Sequence, residues 1–186
     1  TTRVSVDSNG VEGNGPSGMG NHRSAISADG RFVVFESYAG NLVADDHNGL
    51  KDVFVHDRVT GETTRVSIAS DGTQGNGLSR FSSISADGRF VAFTSFASNL
   101  VAGDTNRGRD VFVRDRHTRQ TIRVSVASDG TEANGESFEP SISAGGRFVA
   151  FASEADNLGG AGGFFQGIFL RDTCVGVSAG CTPSTI

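Results

Sequence analysis

The chain has no tryptophan, one lysine (Lys51), one methionine (Met19) and only three prolines in 186 residues. With a formal net charge of −5 and an isoelectric point near 5.3, it lacks the basic surface that grips nucleic acid or an anionic membrane. No stretch approaches the ~20 apolar residues of a membrane helix, and no segment repeats its apolar residues at helical spacing. Cysteine is confined to Cys174 and Cys181, and none of the four histidines (His22, His47, His56, His117) lies near them in sequence, so a Cys/His metal site lacks ligands. A Gly-x-Ser-x-Gly elbow and a paired-carboxylate phrase are both missing, which leaves no recognisable hydrolase or glycosidase centre. Asn-x-Ser/Thr sequons are absent as well. The histidines read as loop or exposed-strand residues. The chain opens on Thr1 without an initiator Met or signal peptide, as a processed product or an excised piece does.

Repetition is what the chain has in abundance. Ser-Ala-Ile-Ser-Ala-Asp-Gly-Arg-Phe-Val-Val-Phe, from Ser24 to Phe35, returns with small changes from Ser82 to Phe93 and again from Pro140 to Phe151. Arg31, Arg89 and Arg147 mark a period of about 58 residues, the size of a propeller blade or stacked repeat. A second phrase, Thr-Thr-Arg-Val-Ser at Thr1, recurs at Thr63 and, with one change, at Thr121. In the second repeat, Phe81 to Ala86 reads as a strand entering an Asp87-Gly88 turn, a strong hairpin signal. Arg89 to Ser95, Asp110 to Asp115 and Thr121 to Val126 follow as three further strands. Apolar residues on both faces of the middle strands predict a sheet covered on both sides. The fold class is therefore all-β: three four-stranded antiparallel blades, over about residues 22–68, 80–127 and 138–186.

The run Ser-x-Ser-Ala-Asp-Gly-Arg-Phe-Val-Ala-Phe, followed by Asp-Val-Phe-Val-Arg-Asp, resembles the TolB-like, or PD-type, β-propeller repeat. The resemblance covers essentially the whole chain in three copies. It departs in Ala28, Ala86 and Ala144, where that family has Pro, and in Gly145 for Asp. It implies the blade, while the family spans periplasmic scaffolds, peptidase accessory domains and binding modules, so function does not follow from it.

The recurring Phe32, Phe35 and Phe54, with Phe90, Phe93 and Phe112 and then Phe148, Phe151 and Phe169, read as core rather than as a sugar-stacking platform. Arg65 with Asp57, and Arg123 with Asp115, read as cross-strand ion pairs. Arg31, Arg89 and Arg147 are expected to reach solvent or a neighbouring blade. Two loops share the spacing Asp-x-Asn-x-x-x-Asp: Asp46, Asn48 and Asp52, then Asp104, Asn106 and Asp110. Oxygen donors so placed resemble the opening of a calcium loop, which needs about 6 to 8 oxygens. The same residues also suit a loop stabilised by its own Asx turns. Both readings stand, and the matching stretch of repeat 3, Gly159 to Gly167, is expected to bind nothing. Cys174 and Cys181 suit a loop-clamping disulfide of a secreted protein, against the alternative of two free thiols.

Closed propellers have about 4 to 8 blades, and three are present. Thr1, Thr2, Arg3, Val4, Ser5 and Val6 read as an outer strand without a blade, and blade 3 as a blade without its outer strand. Donation of residues 1–7 to the third blade of another subunit would give a two-chain, six-bladed ring or a head-to-tail fibre. The sequence thus points to a non-enzymatic, self-associating structural protein, extracellular or at a bacterial cell surface, with calcium in its loops. The alternative is a propeller module that binds glycan or protein, or an accessory domain of a larger secreted protein.

Overall fold

The computed structural model describes residues 1–18, 24–159, 166–175 and 181–186, among which no helix occurs. Three four-stranded antiparallel sheets follow one another along the chain. Blade 1 comprises β1 (Ala25–Ile26), β2 (Phe32–Ser37), β3 (Asp52–Asp57) and β4 (Thr63–Arg65). Blade 2 comprises β5 (Ser79–Ile84), β6 (Phe90–Ser95), β7 (Asp110–Asp115) and β8 (Gln120–Arg123). Blade 3 comprises β9 (Ser137–Ile142), β10 (Phe148–Ser153), β11 (Gly167–Asp172) and β12 (Ser184–Thr185).

Each blade is opened by the Ser-x-(Asp/Gly)-Gly turn. Gly30, Gly88 and Gly146 adopt φ of 71°, 72° and 77°, a left-handed conformation that glycine enters without steric cost. In blade 2, Ser85 Oγ donates to Asp87 Oδ1 at 2.5 Å and accepts the Phe90 amide at 2.9 Å. Phe35 stacks on Phe54, Phe93 on Phe112 and Phe151 on Phe169, with ring centroids 5.9, 5.8 and 6.0 Å apart. These rings are the core elements expected of them.

The faces between blades are where the chain buries its apolar surface. Val34, Val53, Val55 and Val66 of blade 1 pack on Phe93, Ala97, Leu100 and Phe112 in and after the strands of blade 2. Val111, Val113 and Val124 of blade 2 meet Phe151, Ala155 and Leu158 of blade 3 in the same way. Two hydrogen-bonded seams flank each junction. On one edge Ala28 N–H donates to Ala86 O and Ala86 N–H to Ala144 O. On the other, Thr121 Oγ donates to Ile68 O and Thr185 Oγ to Val126 O, each at 2.6 Å. Phe32 lies so close under Gly88 that a Cβ there would sit 2.1 Å from the ring, and Phe90 repeats this under Gly146.

The expected strand deficit of blade 3 is corrected. Its own tail supplies β12, in register with Arg171 and Asp172, and Ile186 exchanges two backbone hydrogen bonds with Leu170. The fixed period hid this strand because blade 2 runs from Asp115 to Thr121 through a tight turn. Blade 3 instead takes the chain from Asp172 to Thr185 past the cysteines. Thr1 to Val6 is accordingly no donated strand. Val6 bridges Glu12, and its carbonyl accepts from Thr63 Oγ at 2.6 Å. The segment lies on its own blade 1 in the way that Ile68 and Gln74 lie on blade 2.

Candidate functional site

The ends of β2 and β3 bring Arg31 beside Asp57, since Phe32 and Asp57 are register partners. The guanidinium grips the carboxylate with two bonds of 2.9 and 2.7 Å. Arg89 with Asp115 and Arg147 with Asp172 repeat the fork. These arginines therefore pair within their own blade rather than with a neighbour while their side chains stay partly open to solvent, and Asp57 and Asp115 are not the partners of Arg65 and Arg123. The Arg31 pair, together with the Val59 and Thr60 amides and against the effect of burial, holds Asp57 far below the usual carboxylate range. At Asp115 burial pulls upward, yet the Arg89 pair and the His117 and Thr118 amides bring the carboxyl down to about 2. The forks clamp the hairpin bases and leave no free carboxylate for chemistry.

Arg65 sits opposite Phe54, on the face shared with Asp52, and this takes it to the Asp-x-Asn loop. Its Nη1 lies 3.3 Å from Asp46 and 3.7 Å from Asp52. These oxygens accept from others as well: Gln74 donates to the Asp46 oxygen that faces Arg65, Asn48 and Ser67 Oγ (2.5 Å) donate to the two oxygens of Asp52, and the Leu50 amide donates to Asn48 Oδ1. In blade 2, Arg123 faces Asp104 at 3.6 Å and Asp110 at 4.0 Å and pairs with Glu132. Asn106 donates to Asp110 at 2.9 Å, and Ser125 to the other oxygen at 2.6 Å. Burial raises Asp52 and Asp104, and it pushes Asp110 up to about 6 despite Ser125, Asn106 and Arg123.

The structure thus brings all six loop residues into two clusters, as the spacing implied, and adds what sequence reasoning missed. A cation is built in. The carboxylate oxygens of Asp104, Asp110 and Glu132 lie within 4.8 Å of one another, but the Arg123 guanidinium already faces all three. Arg65 Nε and Nη1 and Arg123 Nε are buried without hydrogen-bond partners, while Arg65 Nη2 donates to Asp45 O and Arg123 donates to Gly103 O and Glu132. This donor set fits an arginine better than calcium, which demands about 6 to 8 oxygens of its own. The signal is present in the sequence, since Arg65 and Arg123 occupy one repeat position, but only the strand register sets them opposite Phe54 and Phe112 and so beside Asp52 and Asp110 rather than Asp57 and Asp115. Of the corresponding stretch of repeat 3, residues 160–165 lie outside the described residues.

Cys174 and Cys181 form a disulfide, with Cα atoms 5.7 Å apart. It ties the end of β11 to the segment leading into β12. His56, expected in a loop or on an exposed strand, is instead a buried residue of β3 whose Nδ1 meets Thr63 Oγ at 2.9 Å. His22 lies outside the described residues.

The last face of blade 3 is the other chemical anomaly. Val53 and Val55 in blade 1, and Val111 and Val113 in blade 2, are at most 1% exposed. Ile168 and Leu170 hold the same strand positions in blade 3 and are 76% and 39% exposed. Phe148, the counterpart of Phe32 and Phe90, is also exposed.

No protein-family model matches this chain, and no curated protein matches it. Among solved structures it is similar to a TolB from Agrobacterium tumefaciens, at 19% identity and a TM-score of 0.50, over 90% of this chain and 50% of that one. It is similar also to the tricorn protease, at 18% identity and a TM-score of 0.50, over 83% of this chain and 14% of that one. The chain therefore spans half the length of the first and about a seventh of the second. At these identities the likeness speaks of fold alone. The three sheets are β-propeller blades, and the fold is similar to that of TolB.

Proposed function

We propose that the chain is a non-enzymatic assembly unit of the extracellular or periplasmic space, two copies of which close a six-bladed ring by docking blade 3 of each on blade 1 of the other. The observation that carries this reading is the exposure of Ile168 and Leu170 at positions that blades 1 and 2 bury completely. A surface that is covered at two junctions and bare at the third has the shape and chemistry of the missing partner written in it.

Blade 1 offers the complementary surface. Nothing approaches a Cβ built on Gly30 closer than 3.7 Å, which leaves this turn open to a ring placed as Phe32 is under Gly88. Ala28 O and Ala144 N–H are the two ends of the alanine seam, free to join as Ala28 joins Ala86. Six blades fall within the range of about 4 to 8 in which propellers close, and a two-fold ring uses the same contact twice. The disulfide supports an oxidising compartment. A second reading is favoured by the match to half of the TolB chain: the bare face could meet further blades of a larger ring, with the three blades serving as a binding or accessory module.

Native mass measurement across a concentration series distinguishes the two. The expected particle contains two chains, and Ile168→Asp, which would bury a charge in the junction, returns it to one while leaving the monomer folded. A single chain at every concentration, or an Ile168→Asp variant that assembles like the parent, refutes the ring of two. Masses that climb without limit replace the ring with an open stack.

A further inference from the structure

Between the outer strand of blade 1 and the far end of blade 2 lies a cleft of about 510 Å³ whose lining includes Arg114, Arg116 and Arg119. The three differ in how they are held. Arg114 is 5% exposed, and its Nη1 donates to Ala69 O at 3.1 Å and to Thr121 Oγ at 3.0 Å. Arg116 donates to Gly88 O at 2.7 Å and lies 4.5 Å over the Phe32 ring. Arg119 is exposed at the tip of the β7–β8 turn with φ of 61°, where blade 1 has Gly61 at 79°. A residue with a side chain is less at ease than glycine in the left-handed region.

None of the three is in an ion pair among the described residues; the paired arginines there are others. Arg65 also lines the cleft, but it is turned to Asp46 and Asp52. Two acids, Glu62 and Asp71, line it too. Neither comes within ion-pair distance of a guanidinium, and Asp71 is committed to its own turn through the Thr73 amide. Burial, and the neighbouring charge of Arg119, push the Arg114 guanidinium down, and burial does the same at Arg116 against the pull of Asp57 and Glu62. Partly desolvated cations with no carboxylate at ion-pair distance are costly and are offset by an anion that can accept their hydrogen bonds.

The repeat supplies an internal comparison. Arg171 takes the place of Arg114 in blade 3 and makes the same two contacts, to Ala127 O and Thr185 Oγ. That contact pair is thus structural. Thr173 stands there in place of Arg116, and blade 1 has His56, Arg58 and Gly61 at the three positions. Among the described residues, the cleft between blades 1 and 2 alone gathers three arginines at these positions, and it does so at the expense of an unfavourable turn residue.

We infer that this cleft binds a tetrahedral oxyanion, phosphate or sulfate, carried as an ester on a small polar molecule such as a sugar. Three guanidiniums on separate positions offer more donors than a planar carboxylate with one good bidentate edge can use, and match the acceptors of a tetrahedral group. The volume exceeds that of a lone oxyanion and falls in the range of about 300 to 1,000 Å³ typical of small-molecule sites. The site lies within one chain, so it does not depend on the assembly proposed above.

The test titrates the full chain with inorganic phosphate, inorganic sulfate, a sugar phosphate and a sugar sulfate. Ionic strength is held constant with chloride, and melting temperature and binding heat are the readouts. Wild type should be stabilised by the oxyanions and not by chloride, with the ester that binds best identifying the source. Arg119→Gly restores the residue type of Gly61, so it should melt higher than wild type without anion yet lose about tenfold or more in affinity. Arg114→Met should lose the response as well, and Arg119→Lys should bind weakly, since it keeps the charge but not the fork. The inference is overturned if wild type responds to none of the four beyond chloride, or if Arg119→Gly responds as strongly as wild type.

Discussion

Replacing Asp110 by Asn isolates the buried carboxylate that Arg123, Asn106 and Ser125 surround. Asp110 is fully buried, and burial pushes its carboxyl up to about 6, from about 3.9 in an unfolded chain. Between those two values the folded protein holds a proton that the unfolded chain has released. Stability therefore falls with rising pH through this group, by about 1.4 kcal/mol per unit. The favourable contribution is fully present below about pH 4 and is lost as pH rises through about 6, a swing of roughly 3 kcal/mol. Asn keeps the shape and one acceptor but carries no proton equilibrium. The stability of Asp110→Asn relative to wild type should thus improve by roughly 2 kcal/mol from pH 4 to pH 7, the rest of the swing lying below pH 4. Asp57, Asp115 and Asp172, whose pKa values are lowered, act in the opposite sense, losing stabilisation as pH falls below the unfolded value. They are common to both proteins and cancel in the difference. Urea denaturation of both proteins at four pH values between 4 and 7 measures it. A difference that is flat with pH, or that turns in favour of wild type on raising pH, would show that Arg123 rather than burial sets the titration of Asp110.

Gly88→Ala should be far more damaging than a surface glycine change, because it combines φ of 72° with a Cβ driven to 2.1 Å from the Phe32 ring. A loss of about 2 kcal/mol or more is expected, whereas Gly30→Ala, which has only the backbone penalty within one chain, should cost about 1 kcal/mol; thermal melts of the two variants at a concentration where the chain is monomeric check the ranking. Calcium and chelator should leave the melting temperature alike, because Arg65 and Arg123 already stand among the loop carboxylates. A rise with calcium that Asp46→Ala and Asp104→Ala abolish would show that the metal displaces the guanidiniums.

The blade was legible because its rules are local and repeated. Asp87-Gly88 dictates a turn, alternating Phe and Val dictate strands covered on both sides, and a threefold recurrence makes each inference three times over. The side-chain pairing was not legible to the same degree. Arg31 and Arg65 lie on the two segments that flank β3, and only the register, Phe32 opposite Asp57 and Arg65 opposite Phe54, decides which one reaches Asp57. The outer strand of blade 3 escaped because a disulfide-bearing detour shifts Ser184 and Thr185 out of period, and their brief sequence lacks the Arg-Val-Ser that marks the other two. The arginine cleft escaped for a different reason. Arg114, Arg116 and Arg119 are ordinary in a row and become unusual only when the fold gathers them on one cleft with no carboxylate at ion-pair distance from any of them.

The two seams at each junction have a geometric consequence. A joint fastened along one edge only is a hinge, and its angle follows whatever load or partner is applied. Here the alanine amides fasten one edge and the threonine hydroxyls the other, with a phenylalanine wedged under a glycine as a spacer. The angle from one blade to the next is therefore set by bond lengths rather than by pliable side chains. An arc of fixed pitch can close only at the number of steps that completes a turn. The pitch of any ring built from this repeat is then a property of its small junction residues, Ala28, Ala86, Thr121 and Gly88.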